Sequence, residues 1–295
     1  MKKLILFALS INFIFAQINT ENIDIVRDNY GVPHIFAKTD AEAAYGLAWA
    51  HAEDDFETIQ LAYLAGNSML SNLLGTEGAP ADFISKFIGS KEIVEKKFHE
   101  VSDEYKSVLE GYAQGLNSYA KKFPDKVLYN KLFPLTPKMM LRYGQLQLFI
   151  RSKGGEWVGK ILSDKTQDDF IDQSLVGSNF IAMNSNKTKS GESFLVINTH
   201  QPLEGPTSWY EAHVNSEEGT NILGTLYPGT PHILIGVNEN LAWSHTFNNL
   251  DIFDVYKLEM TKGLKYVVDG KEYKLKKDKA QVKIKILGLK IPINR

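Results

Sequence analysis

Midway along this chain the apolar residues change their spacing from a helical period to a strand period, which restricts the fold to helices followed by short strands, an α+β arrangement. In the first half, Thr39-Asp40-Ala41-Glu42 reads as a capping box, and Ala43, Leu47 and Ala50 recur at helical spacing toward Leu61, with Gly66-Asn67 as the stop. A second helix is expected from Ser102 to about Tyr119, because Tyr105, Val108, Leu109, Tyr112, Leu116 and Tyr119 share one face. A third begins at Thr136-Pro137, an N-cap followed by proline, and runs to Ile150. Ahead of these helices, 23–28 and 32–36 read as two short strands around the turn Asn29-Tyr30-Gly31.

Beyond Gly155 the chain turns polar, and from Ser178 short β-like runs alternate with turn residues: 179–183, 193–198, 209–214, 221–226, 232–237, 241–247 and 252–258. Residues 266–273 read as a hairpin with a type I′ turn at Asp269-Gly270. The Lys-rich end from Lys271 to Arg295 alternates apolar and basic residues at Val282 to Ile286, which suits a half-exposed strand better than a polyanion patch. The boundary between the two regions falls between Gly155 and Ser178.

Met1-Lys2-Lys3, the apolar run Leu4 to Phe15, and Ala16-Gln17 match a signal peptide over residues 1–16. The competing reading, a membrane anchor, meets a run shorter than the ~20 residues a spanning helix needs. The expectation is therefore a periplasmic or secreted protein without a membrane span after cleavage, and the absence of cysteine agrees with export. A net charge of −2, from 33 basic and 35 acidic residues, gives no field for nucleic acid, which leaves a small molecule as the expected partner.

The sequence contains no Gly-rich phosphate loop, no His-Glu-x-x-His and no Gly-x-Ser-x-Gly elbow. What remains is Gly177-Ser178-Asn179, by itself an ordinary turn tripeptide. His34, His51, Trp49 and Trp243 sit in patterned apolar runs and read as packing. Phe36, Met140, Phe149 and Trp209 read equally as core or as the lining of an acyl pocket.

Four blocks give the tripeptide a context: Ile25-Val26-Arg27-Asp28-Asn29-Tyr30-Gly31-Val32-Pro33-His34-Ile35, Ala44-Tyr45-Gly46-Leu47-Ala48-Trp49-Ala50-His51-Ala52-Glu53-Asp54, Gly177-Ser178-Asn179, and Ile235-Gly236-Val237-Asn238-Glu239-Asn240-Leu241-Ala242-Trp243-Ser244-His245-Thr246. In this order they resemble the penicillin acylase family of N-terminal-nucleophile hydrolases, within it the acyl-homoserine-lactone acylase and aculeacin acylase branch. The resemblance implies the αββα four-layer sandwich of those hydrolases, here in part. It also implies a precursor that cuts itself between Gly177 and Ser178. The products would be an α-chain region over 17–165, a spacer or processing linker over 166–177 and a β chain from 178 to 295, held as an α/β heterodimer.

In that family the freed serine is both nucleophile and base. An α-amine titrates near ~7.7–8.0, so at neutral pH a useful fraction is unprotonated beside the hydroxyl. The resemblance assigns Ser178 to this role, His200 to contact with the amine, and the backbone N–H of Phe247 to the oxyanion hole. The implied substrate is an N-acyl amide such as an acyl-homoserine lactone, a β-lactam amide or a lipopeptide, and no cofactor enters the chemistry. A structural Ca²⁺ would use Glu156, Asp251, Phe253 and Asp254, which read otherwise as solvated strand-end residues. Family β chains continue beyond the region matched here, and a second oxyanion donor, an asparagine, lies in that continuation. The expectation is thus a C-terminally truncated chain: a fragment, a pseudogene product or half of a split enzyme. Its alternatives are an inactive exported protein that only binds ligands and a serine hydrolase built from Ser178, His200 and Asp251.

Overall fold

The computed structural model describes residues 17–152, 154–163, 177–246, 254–277, 281–286 and 289–294. The chain opens with the hairpin β1 (Asp24–Arg27) and β2 (Pro33–Ala37), whose Ile25 faces Ile35 across the antiparallel pair. The long helix α1 (Asp40–Gly66) starts where the sequence places it: Thr39 Oγ1 accepts from Glu42 N, and Glu42 returns a carboxylate to Thr39 N at 3.1 Å. Its backbone breaks at Asp55 (φ −149°, ψ 60°), where the Asp55 carboxylate accepts from Thr58 N and restarts the helix.

Three short helices follow, α2 (Ser71–Leu74), α3 (Ala79–Phe87) and α4 (Ser90–Lys97), then α5 (Asp103–Lys122), α6 (Pro137–Arg151) and α7 (Gly154–Ser163). Helices α5 and α6 take the expected N-caps, Ser102 and Thr136. Helix α5 presses closely against α1 because its glycines allow it: a Cβ at Gly115 would lie 2.5 Å from the Tyr45 carbonyl oxygen, and one at Gly111 would collide with that of Ala41.

The second half supplies β3 (Ser178–Met183), β4 (Phe194–Thr199), β5 (Tyr210–Ser216), β6 (Asn221–Leu226), β7 (Ile235–Val237) and β8 (Ala242–Trp243). Strands from both halves form one six-stranded sheet in the order β1-β2-β5-β6-β7-β8, with β2 and β5 parallel and His34 opposite His213. One sheet face, through Ile35, Ala37, Ala212 and Val214, packs on α1 and joins Leu47, Ile59, Tyr63, Tyr112 and Leu116 in a single core. Strands β3 and β4 make a separate antiparallel pair. Then come β9 (Glu259–Thr261), β10 (Lys265–Val268), β11 (Lys271–Lys274), β12 (Gln281–Ile286) and β13 (Leu289–Asn294). Asp269 (φ 51°) and Gly270 (φ 71°) both adopt the left-handed conformation that a type I′ turn requires.

The α+β class stands, with a layer of helices on a sheet and the β3–β4 pair beside it. Three expectations change. The expected strand at 232–237 shrinks to β7, because the chain after Pro231 turns toward the helices before it joins the sheet. In the described part of 241–247, residues 241–246, the strand is two residues long, β8. In the described part of 252–258, residues 254–258 form no strand. Residues 1–16 and most of 166–177 lie outside the described residues. Among the described residues no helix is long and apolar enough to cross a membrane.

Candidate functional site

Ser178 is the first residue of β3, so its backbone is fixed by the ladder to Thr199 of β4. Its hydroxyl donates to the carbonyl oxygen of Gly177 at 2.7 Å, and the backbone N–H of His200 donates to the same oxygen at 3.3 Å. That carbonyl therefore has the candidate nucleophile and a main-chain donor both resting on it. Asn179 Nδ2 donates to His200 Nε2 at 3.2 Å, which in the neutral ring puts the proton on Nδ1. The Nδ1 edge faces Gly177, where a Cβ would sit 3.5 Å away, an ordinary contact.

On its other side Ser178 opens into a cleft of about 690 Å³ between the helices and the strands. Helices α4, α5 and α6 contribute Val94, Leu109, Met140 and Tyr143, and the strand region contributes Thr199, Gln201, Trp209, Tyr227, Ile235 and His245. Mostly apolar walls with a few convergent polar groups are what a site for a small amphipathic molecule requires. His200 is not part of the lining and reaches the site from the Gly177 side.

One wall is a stack of three side chains. The Trp209 indole lies 4.1 Å from the Tyr227 ring at an interplanar angle of 21°, and the Arg151 guanidinium lies over the other face of Tyr227, also at 4.1 Å. Arg151 Nη1 also donates to Tyr227 Oη at 3.1 Å. Another wall pairs Tyr105 with His232, whose Oη and Nδ1 are 3.5 Å apart. Burial lowers the pKa of His232 and raises that of Tyr105, so both are neutral near pH 7.

The structure thus brings Gly177, Ser178 and His200 together. Phe247, Asp251 and Phe253 lie outside the described residues. Asp254 is exposed on the irregular segment, and Glu156 belongs to α7. Among the described residues no group of three or more His, Asp or Glu side chains is placed to hold a metal. Of the residues read as core or pocket, Met140 and Trp209 line the cleft, whereas Phe36 projects from the opposite sheet face against His213. His51 is packing, stacked on Tyr210 at 3.9 Å, and Trp243 is fixed by its indole N–H to Leu234 O. His34 is no core residue: its Nδ1 lies 3.0 Å from His213 Nδ1 on the face away from the helices. Tyr227, Arg151 and His232 were missed by the sequence reading because no local pattern marks them, and Asn179, though part of the tripeptide, was given no role there.

A serine hydroxyl at the head of a strand, set against a main-chain carbonyl and opening on an apolar cleft, defines a site suited to acyl transfer. The penicillin amidase family profile matches residues 22–288, and the chain belongs to that family. An acyl-homoserine lactone acylase, PvdQ, from Pseudomonas fluorescens is 25% identical to it, covering 92% of this chain and 39% of that protein. Aculeacin-A acylase from Actinoplanes utahensis is 23% identical, covering 85% of this chain and 37% of that protein. The chain spans about two fifths of the length of these curated relatives. A thermostable penicillin G acylase from Alcaligenes faecalis aligns in structure over 50% of this chain and 77% of that one, with 19% identity and a TM-score of 0.39.

Proposed function

We propose that this chain carries the nucleophile of an exported N-acyl amide hydrolase that activates itself by cutting Gly177–Ser178. The observation that carries this reading is the pair of hydrogen bonds on the Gly177 carbonyl oxygen, one from Ser178 Oγ and one from His200 N. Attack of Oγ on the Gly177 carbonyl carbon forms a C–O bond, while the Ser178 nitrogen leaves with a proton. Water then opens the ester, giving a Gly177 carboxylate and a free α-amine on Ser178. During the attack the carbonyl oxygen gains negative charge, and the His200 N–H is already in contact with it.

In the processed protein the α-amine takes the proton of Ser178 Oγ as that oxygen attacks an amide carbonyl, and it returns the proton to the departing amine. Water hydrolyses the acyl-serine and regenerates the site. The Phe247 N–H is assigned to the oxyanion and the His200 ring to the amine. The cleft next to Ser178 takes the acyl group, since its apolar walls gain by covering a hydrocarbon or aromatic chain. Which acyl amide is cleaved, an acyl-homoserine lactone among them, is part of the proposal.

The two pieces stay together as a heterodimer in this reading. Its support is that the break falls outside the shared sheet: β2 pairs with β5, Tyr210 Oη donates to Asp54 at 2.6 Å, and Tyr63 Oη donates to Gly229 O at 2.5 Å. A structural Ca²⁺ at Glu156, Asp251, Phe253 and Asp254 would join α7 to the segment after β8, and no chemical step passes through it. The test is intact-mass analysis of the protein expressed from its complete gene. Two species are expected, one beginning at Gln17 and one at Ser178, with the second start lost in Ser178→Ala. An uncut, active enzyme would overturn the proposal.

A further inference from the structure

Among the described residues, few hydrogen bonds tie the β3–β4 hairpin, which carries Ser178, to other elements. Strands β3 and β4 hydrogen-bond to each other and not to the six-stranded sheet. Among the described residues, the hydrogen bond that links this hairpin to another element runs from Trp209 Nε1 to Thr199 Oγ1, at 2.8 Å. Thr199 is the register partner of Ser178, so this bond acts at the nucleophile's own rung of the ladder. An indole N–H is a donor only, and the threonine hydroxyl accepts from it.

Trp209 is itself held from two sides. Its ring stacks on Tyr227, Tyr227 is covered by Arg151 at the C-terminal end of α6, and the chain beyond Trp209 enters β5 at Tyr210. Tyr210 in turn stacks on the fully buried His51 of α1 and donates to Asp54. The indole is therefore fixed to the helices and to the sheet, and it passes that position to the Ser178–Thr199 rung of the hairpin.

We propose that Trp209 is a positioning residue for Ser178: through the Nε1–H bond to Thr199 it sets where the first rung of the hairpin, and with it Ser178 Oγ, sits relative to the cleft. This rests on the reading of Ser178 as nucleophile. Displacing a nucleophile by about 1 Å costs on the order of 100-fold in rate, so a single hydrogen bond at this rung has leverage beyond its own strength.

The experiment uses the protein from its complete gene and measures two quantities. The first is the rate at which Ser178 is sulfonylated by phenylmethylsulfonyl fluoride, followed by mass. The second is kcat and KM on a chromogenic N-acyl anilide. Trp209→Phe keeps an aromatic ring on Tyr227 and removes the N–H, and Thr199→Val removes the acceptor at equal size. Each is expected to slow labelling and lower kcat by about 10- to 100-fold with KM within about twofold, and the double variant is expected to be no slower than either single one. Thr199→Ser, which keeps the hydroxyl, is expected to restore the rate. A role in stability alone would lower the melting temperature and leave the labelling rate of the folded protein unchanged, which would overturn the proposal. So would additive losses in the double variant, or failure of Thr199→Ser to rescue. If Ser178 of the unsubstituted protein is not labelled while the protein turns over an amide, the assignment of the nucleophile falls first and this inference with it. If labelling is normal and only the variants behave as wild type, the inference alone falls.

Discussion

Leu47, Tyr63, Tyr112 and Leu116, on α1 and α5, are at most 1% exposed, while Phe180, Ile181, Val196 and Ile197, on β3 and β4, are between 38% and 59% exposed. The residue types are alike, and the two regions differ in what they pack against. Helix α1 has the sheet on one side and α5 on another, so nearly every apolar position finds a partner. The β3–β4 hairpin satisfies its backbone with its own ladder and leaves side chains on both faces in solvent. Backbone pairing alone therefore gives this segment a shape without a core, and an isolated two-stranded hairpin is at best marginally stable. Ser178 sits on the more exposed region, and the hydrogen bond from Trp209 Nε1 to Thr199 Oγ1 ties its rung of the ladder to the more buried one.

That contrast predicts unequal responses to the same kind of truncation. Leu47→Ala removes a side chain that is fully enclosed between α5 and the sheet, and about 2–5 kcal/mol of stability is expected to go with it. Denaturant unfolding followed by helical circular dichroism checks this. A loss under about 1 kcal/mol would mean that the helical core is looser than its burial implies.

The same core holds a titratable group. His51 is 1% exposed, its Nδ1 has no hydrogen-bond partner among the described residues, and burial pushes its pKa down to about 3. In the unfolded chain the imidazole takes a proton near pH ~6.5, whereas in the folded protein it stays neutral until about pH 3. The unfolded state thus binds the extra proton first, and this contribution to stability is complete above about pH 6.5 and is lost progressively as pH falls toward 3. Between pH 7 and pH 4.5 the expected loss is about 2–3 kcal/mol. Comparing unfolding free energies of the natural chain and His51→Phe across that window checks it. The substitution should flatten the slope, and an unchanged slope would assign it to other groups.

How much of this was legible in the sequence follows from distance along the chain. The Thr39–Glu42 capping box, the Ser102 and Thr136 caps and the Asp269-Gly270 turn are decided within a few residues, and the structure has each of them. The parallel pairing of β2 with β5 joins positions 179 residues apart at His34 and His213, and no local pattern announces it. Helices α3 and α4 escaped for another reason: they are short, and Gly89, at φ 68°, divides what periodicity there is. The run at 252–258 has strand-like residues, yet its described part, 254–258, finds no partner strand, which shows that alternation describes a surface and not a pairing. At the candidate site, Ser178 stood in the family's motif order and His200 at a position the resemblance implies, and the structure places the two beside the Gly177 carbonyl. The link from Trp209 to Thr199 was not visible, since it depends on the side chain of a loop residue ahead of β5 meeting one at the end of β4.

The smallest expected effect lies in the hairpin itself. Ile181 is 59% exposed and Val196, its register partner, is 52% exposed, so replacing either side chain gives up little buried area. Ile181→Thr keeps the β-branched shape that suits a strand and reduces exposed apolar surface. In this 295-residue chain its effect on unfolding free energy is expected to stay within about 0.5 kcal/mol, far below that of Leu47→Ala. Hydrogen exchange supplies the matching local measurement: amides of β3 and β4 should exchange at an opening free energy well below that of α1 and α5, because no packed layer must open with them. Equal protection in the two regions, or a loss from Ile181→Thr as large as that from Leu47→Ala, would show that the hairpin is covered and that the contrast between the regions does not hold in solution.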